Sequence, residues 1–315
     1  MYISIKQFYY KHNLEYFLNI SIDKYLMIEN EILSILNGYV KNYDYYLYQP
    51  NIIIWVGIYY QFEKPNNRLM LKYYKLAIDR GNLDAILCLG LYYCYKKEFE
   101  LMEKYLLMLE NNNYPKAMCI LADYYFRNKN YISMIKYYKK ANTDNAYKSI
   151  GDYYKNIEND YEKMSEYYLL AVEKGNKYAL EELDNCLINN NLSSISMMIN
   201  YSLAIKMCND VETLEQHGLK FQYFYSNYEK IMKIYYLSAI EKKSVLAMYE
   251  MGQYYQKINV NYEEMKKYYL MAIKQIDEYL IDIDTKYYMC NEELEDYTLN
   301  IKNNLSKLKL TVDDL

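Results

Sequence analysis

Residues able to attack, bind metal or move protons are few in this 315-residue chain, and they are scattered. Its two histidines are His12 and His217. Neither stands in an HExxH run, a G-x-S-x-G elbow or a glycine-rich phosphate loop. Glu215 precedes His217 by two positions, a spacing that puts them on different faces of a helix. The six cysteines, at 88, 94, 119, 186, 208 and 290, form no C-x-x-C pair and have no histidine at ligand spacing. They read as reduced thiols packed as small hydrophobes. Methionine is a soft ligand, but here it recurs once per repeated segment at helix–helix contacts, which is the pattern of core filler. The expectation is a protein with no catalytic residues, no metal site and no cofactor, hence not an enzyme.

Composition shows what must position such residues as there are. Only 3 prolines and 8 glycines occur, and 52% of residues are hydrophobic in a count that includes 47 tyrosines. That suits long helices joined by short polar turns, around a core that is partly amphipathic. The formal net charge of −4 is spread through interspersed lysines and glutamates, so no face is expected to attract a nucleic-acid backbone. The opening MYISIKQFYYKHN lacks the basic-then-apolar order of a secretion signal, and the longest apolar run, Ile52 to Tyr60, is too short to span a bilayer. The reading is an intracellular, cytoplasmic, soluble chain without a membrane span.

The segment NYEEMKKYYLMAI, beginning at Asn261, has close copies at Asn130 and Asp160. Aligned, they give Met-x3-Tyr-x2-Ala, at Met70, Tyr74 and Ala77; Met134, Tyr138 and Ala141; Met164, Tyr168 and Ala171; Met197, Tyr201 and Ala204; Met232, Tyr236 and Ala239; and Met265, Tyr269 and Ala272. A drifted seventh copy is expected at Leu101, Tyr105 and Met108. Offsets of 0, 4 and 7 share one helical face, so each triplet is a buried stripe. Ahead of each stripe comes a second pattern, a small residue followed by tyrosines, as in Gly57-Ile-Tyr59-Tyr60, Gly90-Leu-Tyr92-Tyr93, Ala122-Asp-Tyr124-Tyr125, Gly151-Asp-Tyr153-Tyr154 and Gly252-Gln-Tyr254-Tyr255. Gly218-Leu-Lys220-Phe221 is a weaker form. Glycine inside a helix costs roughly 0.5–1 kcal/mol against alanine, so its recurrence at one register implies a close helix–helix contact. Successive members of the alanine column, with Met108 standing in for the drifted copy, are 30 to 35 residues apart, and asparagine-rich turns separate the helices. Two helices per repeat of about 33 residues is the signature of a helical-hairpin solenoid.

Between repeats runs Ala77-Ile-Asp-Arg-Gly81-Asn-Leu-Asp-Ala85, echoed from Ala171 to Ala179 and from Ala239 to Ala247. This A-x-x-x-G-[ND]-x-x-A linker before a G-x-Y-Y helix resembles the Sel1-like repeat of the tetratricopeptide superfamily, over residues 51–276. The chain departs from that family in having a short asparagine turn where the hairpin normally carries a glycine-rich loop. In its richness in Tyr, Asn, Ile and Lys it resembles Sel1-like proteins encoded by large DNA viruses. The resemblance implies an all-α, right-handed α-α superhelix of about seven hairpins, and a monomeric, non-catalytic scaffold or adaptor. Its protein or peptide partner would lie on a concave face lined by the first helix of each hairpin. Counted from the small residue, that face would carry Ile58, Gln61 and Phe62; Leu91, Cys94 and Tyr95; Asp123, Phe126 and Arg127; Lys148, Asp152, Lys155 and Asn156; and Tyr249, Gln253, Gln256 and Lys257. A docking regulatory subunit of an enzyme has the same appearance in sequence. An RNA-binding hairpin array is the third alternative, but it needs a basic groove, and Asp123 and Asp152 stand beside Arg127 and Lys155.

Residues 1–50 lack both columns and are expected to form an N-terminal helical cap, with capping helices and a tail over 277–315. The rhythm breaks around 177–228. Asp184 occupies a glycine register there, and because a buried carboxylate is costly, its helix is expected to be rotated, shortened or exposed.

Overall fold

A computed structural model describes residues 50–62, 64–189, 194–225, 228–283, 299–300 and 303. The N-terminal cap expected over residues 1–50 and most of the segment expected over 277–315 lie outside these. The chain divides into two compact units, residues 1–142 and 143–315. The first contains α1 (Pro50–Phe62), α2 (Asn67–Asp79), α3 (Leu83–Lys96), α4 (Phe99–Leu107), α5 (Pro115–Arg127) and α6 (Tyr131–Ala141). The second contains α7 (Asp144–Tyr153), α8 (Tyr161–Glu173), α9 (Lys177–Ile188), α10 (Ile195–Met207), α11 (Val211–Tyr223), α12 (Glu229–Glu241), α13 (Val245–Lys257) and α14 (Tyr262–Ile283). No strand occurs among the described residues. Among the described residues each odd-numbered helix and the next even one form a hairpin, three in the first unit and four in the second, but α10 packs chiefly on α8 and only lightly on its own partner α9.

Cap chemistry sets the boundaries. Asn66, Asn82, Asn130, Asp160 and Asn176 each accept a hydrogen bond from the backbone N–H three residues on, at 2.9–3.1 Å. Such caps contribute about 1 kcal/mol each. The inter-repeat linker therefore has a physical reading. Ala77 is buried, Gly81 takes the left-handed backbone (φ 83°) that ends α2, Asn82 caps α3, and buried Ala85 donates the capped N–H. Gly175, Asn176 and Ala179 repeat this arrangement. In the third copy Lys243 adopts the glycine conformation and Ser244 caps Ala247.

The six Met-Tyr-Ala triplets are buried, none of their residues being more than 7% exposed. The drifted copy was misplaced by one residue. Leu101 and Met108 are 37% and 47% exposed, while Met102, Leu106 and Leu109 are fully buried at the same offsets. Burial selects the all-apolar triplet; Tyr105 instead stacks on Tyr93, with centroids 5.5 Å apart.

That stack belongs to a series. The aromatic residue three places after each small residue lies flat against the residue preceding the stripe tyrosine or its leucine equivalent, as in Tyr60–Tyr73, Tyr125–Tyr137, Tyr154–Tyr167 and Tyr255–Tyr268, with centroids 5.4–5.8 Å apart and rings within 7° of parallel. Phe221–Tyr235 is the looser copy, tilted 17°. The glycines admit the stripe ring itself. A Cβ on Gly57, Gly151, Gly218 or Gly252 would lie 2.4–2.6 Å from a ring carbon of Tyr74, Tyr168, Tyr236 or Tyr269. Gly90 stands in the same relation to Leu106.

The expectation for α9 is also corrected. It is a regular 12-residue helix, and Asp184 stays at the glycine register, fully buried. Hydrogen bonds, described below, offset the desolvation that was expected to turn it outward.

Candidate functional site

In the first unit the start of the expected partner face closes around a cavity of about 480 Å³. Its walls are Ile58, Gln61 and Phe62 of α1, Pro65 and Asn67 at the turn, Tyr74 of α2, and Cys88, Leu91, Tyr92, Tyr95 and Lys96 of α3. Five residues picked from the repeat register, Ile58, Gln61, Phe62, Leu91 and Tyr95, thus line one space. They differ in what they offer. Ile58 is 1% exposed and shapes the floor, whereas Tyr95 is 83% exposed and Phe62 38%. Gln61 accepts the Tyr74 hydroxyl at 2.5 Å through Oε1, which fixes its carboxamide. The Lys96 ammonium lies 5.8 and 6.0 Å from the Tyr92 and Tyr95 ring centroids.

The one thiol in this wall is not a nucleophile. Burial, reinforced by the negative charge of Asp84, pushes Cys88 up to about 12, so it stays protonated at neutral pH. Burial raises Tyr74 as well. The chemistry of the cavity is that of an apolar, aromatic receptor with a few polar groups at its edge.

Much of the remaining expected face is engaged within the chain. Asp123 accepts the Tyr138 hydroxyl at 2.5 Å, and Phe126, 42% exposed, leans on Tyr131. Arg127 is exposed at the end of α5. In the second unit Lys148 pairs with Asp152 at 2.9 Å, and Asp152 also accepts the Tyr168 hydroxyl at 2.7 Å. Lys155, in a π-helical turn at Tyr154–Glu158, pairs with Glu182 at 2.5 Å, with exposed Asn156 beside it. Gln253 bonds both Tyr249 and Lys257, and Gln256 accepts the Tyr269 hydroxyl at 2.8 Å. Cys94 is half-buried.

A role missed by sequence reasoning follows. Gln61, Asp123, Asp152, Gln222 and Gln256 each receive the stripe tyrosine of their own hairpin. A buried phenol needs an acceptor, and the first helix supplies one either one residue after the small position or, with the longer glutamine, four after it. The signal was present as a polar residue at those places in each of these hairpins.

Asp184 is the extreme case. Its Oδ1 accepts the hydroxyls of Tyr201 and Tyr235, both at 2.5 Å, while Oδ2 lies 2.5 Å from His217 Nδ1 and 3.8 Å from Lys220 Nζ. Burial, together with the negative Asp184, holds Tyr201 and Tyr235 well above the usual phenol range. A carboxylate–imidazole pair can orient a catalytic base, but here the carboxylate is sealed and neither a serine nor a cysteine belongs to the cluster. Its evident work is to tie α9, α10, α11 and α12 together. Among the described residues no group of three or more His, Cys, Asp or Glu side chains is placed to hold a metal ion, and no helix is long and apolar enough to cross a membrane.

No protein-family model matches the chain. No curated protein matches it either. Among solved structures, a Sel1 repeat protein from Oxalobacter formigenes aligns over 81% of this chain and 99% of its own, with 20% identity and a TM-score of 0.42. A protective antigen of uropathogenic Escherichia coli with the SLR fold aligns over 82% of this chain, at 15% identity and a TM-score of 0.40; the alignment spans 62% of that protein. These neighbours are Sel1-repeat proteins, and the hairpin assignment for this chain stands on its own columns and caps.

Proposed function

We propose that this protein is a non-catalytic interaction scaffold that holds a protein or peptide through the first-helix face of its hairpins, with the α1–α3 cavity as the main anchor point. The observation that carries this reading is the cavity itself. It is open, walled by Phe62, Leu91, Tyr92 and Tyr95, and sized for one or two large side chains. Exposed aromatics at a concave site are the groups that dominate binding energies at interfaces. The repeat architecture supports the same conclusion, since stacked hairpins present extended surfaces. We place this activity in the cytoplasm, a host cell's cytoplasm if the compositional likeness to viral Sel1-like proteins reflects origin. A scaffold that regulates an enzyme by docking would use the same cavity. RNA binding is disfavoured because Asp123 and Asp152 each stand on the first helix of their own hairpin, at register positions that an RNA reader would need to be basic.

The test is selection from a random-peptide display library on the purified protein, followed by titration of the selected peptides. Phe62→Ala with Tyr95→Ala is expected to weaken binding at least tenfold, which corresponds to about 1.4 kcal/mol. Selected peptides that bind the double variant as tightly as the parent would remove the cavity from consideration.

A further inference from the structure

The charge of this chain is not shared evenly by its two units. Residues 50–142 hold 14 Lys and Arg against 8 Asp and Glu, whereas residues 143–283 hold 15 against 21. In the first unit the excess gathers at one place in the repeat, the turn inside each hairpin. Over 62–68, 95–100 and 126–132 stand Lys64, Arg68, Lys96, Lys97, Arg127 and Lys129 against Glu63, Glu98 and Glu100. The corresponding turns of the second unit, 156–162, 189–195, 223–230 and 257–263, reverse this, with Lys230 and Lys257 against five acids. Charges interspersed along the sequence thus resolve, once the hairpins form, into a basic edge on the first unit.

All six of these cations are exposed, and among the described residues none of them pairs with a carboxylate. The second unit treats its lysines differently: Lys155 is held by Glu182 at 2.5 Å, and Lys220 lies 3.8 Å from Asp184. The three basic turns are neighbours. The cavity joins Pro65 and Asn67 of the first to Tyr95 and Lys96 of the second, and Phe99 lies 5.2 Å, centroid to centroid, from Tyr124 near the end of α5. Phe62, Tyr95, Phe99 and Phe126, 38–83% exposed, stand among the cations. The polar groups of the cavity agree with its surroundings. Gln61 has Oε1 committed to the Tyr74 hydroxyl, which leaves its Nε2 as a donor, and the Lys96 ammonium has ring faces beside it but no acid. No carboxylate lines the space.

We propose that the partner of the α1–α3 cavity is an acidic peptide segment, one large apolar side chain entering the cavity while flanking Asp or Glu residues meet Lys96 and the cations of the adjoining turns. This rests on the reading of the cavity as a peptide anchor and adds the chemistry that selects the peptide. Charge complementarity argues for this occupant, because unpaired cations ring an apolar hole whose own side chains offer donors. A nucleic-acid strand fits less well, since the positive charge is confined to the turns while the first helices carry Asp84 and Asp123 along their length.

Fluorescence anisotropy with three labelled peptides tests the inference. Each is a serine-glycine segment with a neutral dye, an amidated C-terminus and a central Phe flanked on both sides by Glu, by Gln or by Lys. The Glu-flanked peptide is expected to bind the full chain about fivefold more tightly than the Gln-flanked one, an advantage lost in concentrated KCl, and the Lys-flanked peptide is expected to bind most weakly. Lys96→Glu, an exposed substitution, is expected to reverse the order of the Glu- and Lys-flanked peptides and to leave the Gln-flanked one within about twofold. Equal affinity for all three peptides, lost in Phe62→Ala with Tyr95→Ala, would overturn the acidic partner and leave the peptide anchor standing. Binding of none, or binding indifferent to that double variant, would overturn both. Displacement of the Glu-flanked peptide by single-stranded oligouridylate would give the edge to RNA, and self-association of the parent that Lys96→Glu abolishes would give it to a second copy; either would overturn the proposal.

Discussion

Gly151→Ala should destabilise the second unit, although helix propensity alone argues the reverse. In an unencumbered helix the change gains about 1 kcal/mol, because alanine loses less backbone freedom than glycine. At Gly151 the new Cβ would lie 2.4 Å from Tyr168 Cδ1. The ring has little room to yield: Tyr168 is fully buried and its hydroxyl is bonded to Asp152 at 2.7 Å. Overpacking of this kind costs about 1–3 kcal/mol, so after the propensity gain the net loss should be about 1 kcal/mol and at most about 2 kcal/mol. Where this register natively carries a side chain the hairpin is built around it: Tyr138, facing Ala122, is 7% exposed, and Tyr201, bonded to Asp184, is fully buried. Because repeat arrays open locally, the assay is native-state hydrogen exchange at amides of α7 and α8, with urea unfolding alongside. In a Tyr168→Ala background the same glycine change should become favourable by about 1 kcal/mol, giving a coupling that a double-mutant cycle isolates. A stabilising Gly151→Ala in the parent would refute the close packing of ring on backbone.

Asp184→Ala should cost about 3 kcal/mol or more in urea unfolding of the second unit, because it strands two buried phenol hydroxyls and His217. Asp184→Asn should cost less, and equal losses for the two would count against the hydrogen-bond account. Burial raises the Glu250 carboxyl above its usual range, a hydrogen bond from Gln222 opposing only in part. The folded state then holds that proton more tightly than the unfolded one, so the charged form costs stability as pH rises from the unfolded value through the raised folded one. Glu250→Gln should therefore stabilise the protein at neutral pH, with the gain gone below about pH 4. A gain that is the same at both pH values would assign it to something other than ionisation.

The hairpins were legible because burial imposes a period, and Met-x3-Tyr-x2-Ala records it in residue types that hold one face. The linker was legible as wording, but its reason, a left-handed Gly81 followed by the Asn82 cap, needed backbone geometry. The stripe of α4 was misplaced because alignment followed a tyrosine, whereas burial follows the apolar set Met102, Leu106 and Leu109. Asp184 was misjudged for a similar reason. The cost of burying a carboxylate is local and visible in sequence, while the partners that offset it arrive from His217 and Tyr235, two and three helices further along the chain. Register counting also found residues that share the α1–α3 cavity. It gave no means of separating Tyr95, which faces outward, from Gln61, Asp123, Asp152 and Gln256, whose polar atoms serve neighbouring tyrosines.

The account depends on the repeated columns being the contact surfaces between paired helices, and the tyrosines report on this directly. Nitration with tetranitromethane near neutral pH, mapped by mass spectrometry, attacks accessible and ionisable phenols. Tyr95, Tyr178 and Tyr262, each more than half exposed, should be modified early. Tyr74, Tyr168, Tyr201, Tyr236 and Tyr269, all fully buried, should remain untouched until the protein is unfolded in urea. Nitration of the stripe tyrosines in the native protein at the rate of Tyr95 would contradict the packing scheme and the scaffold built on it.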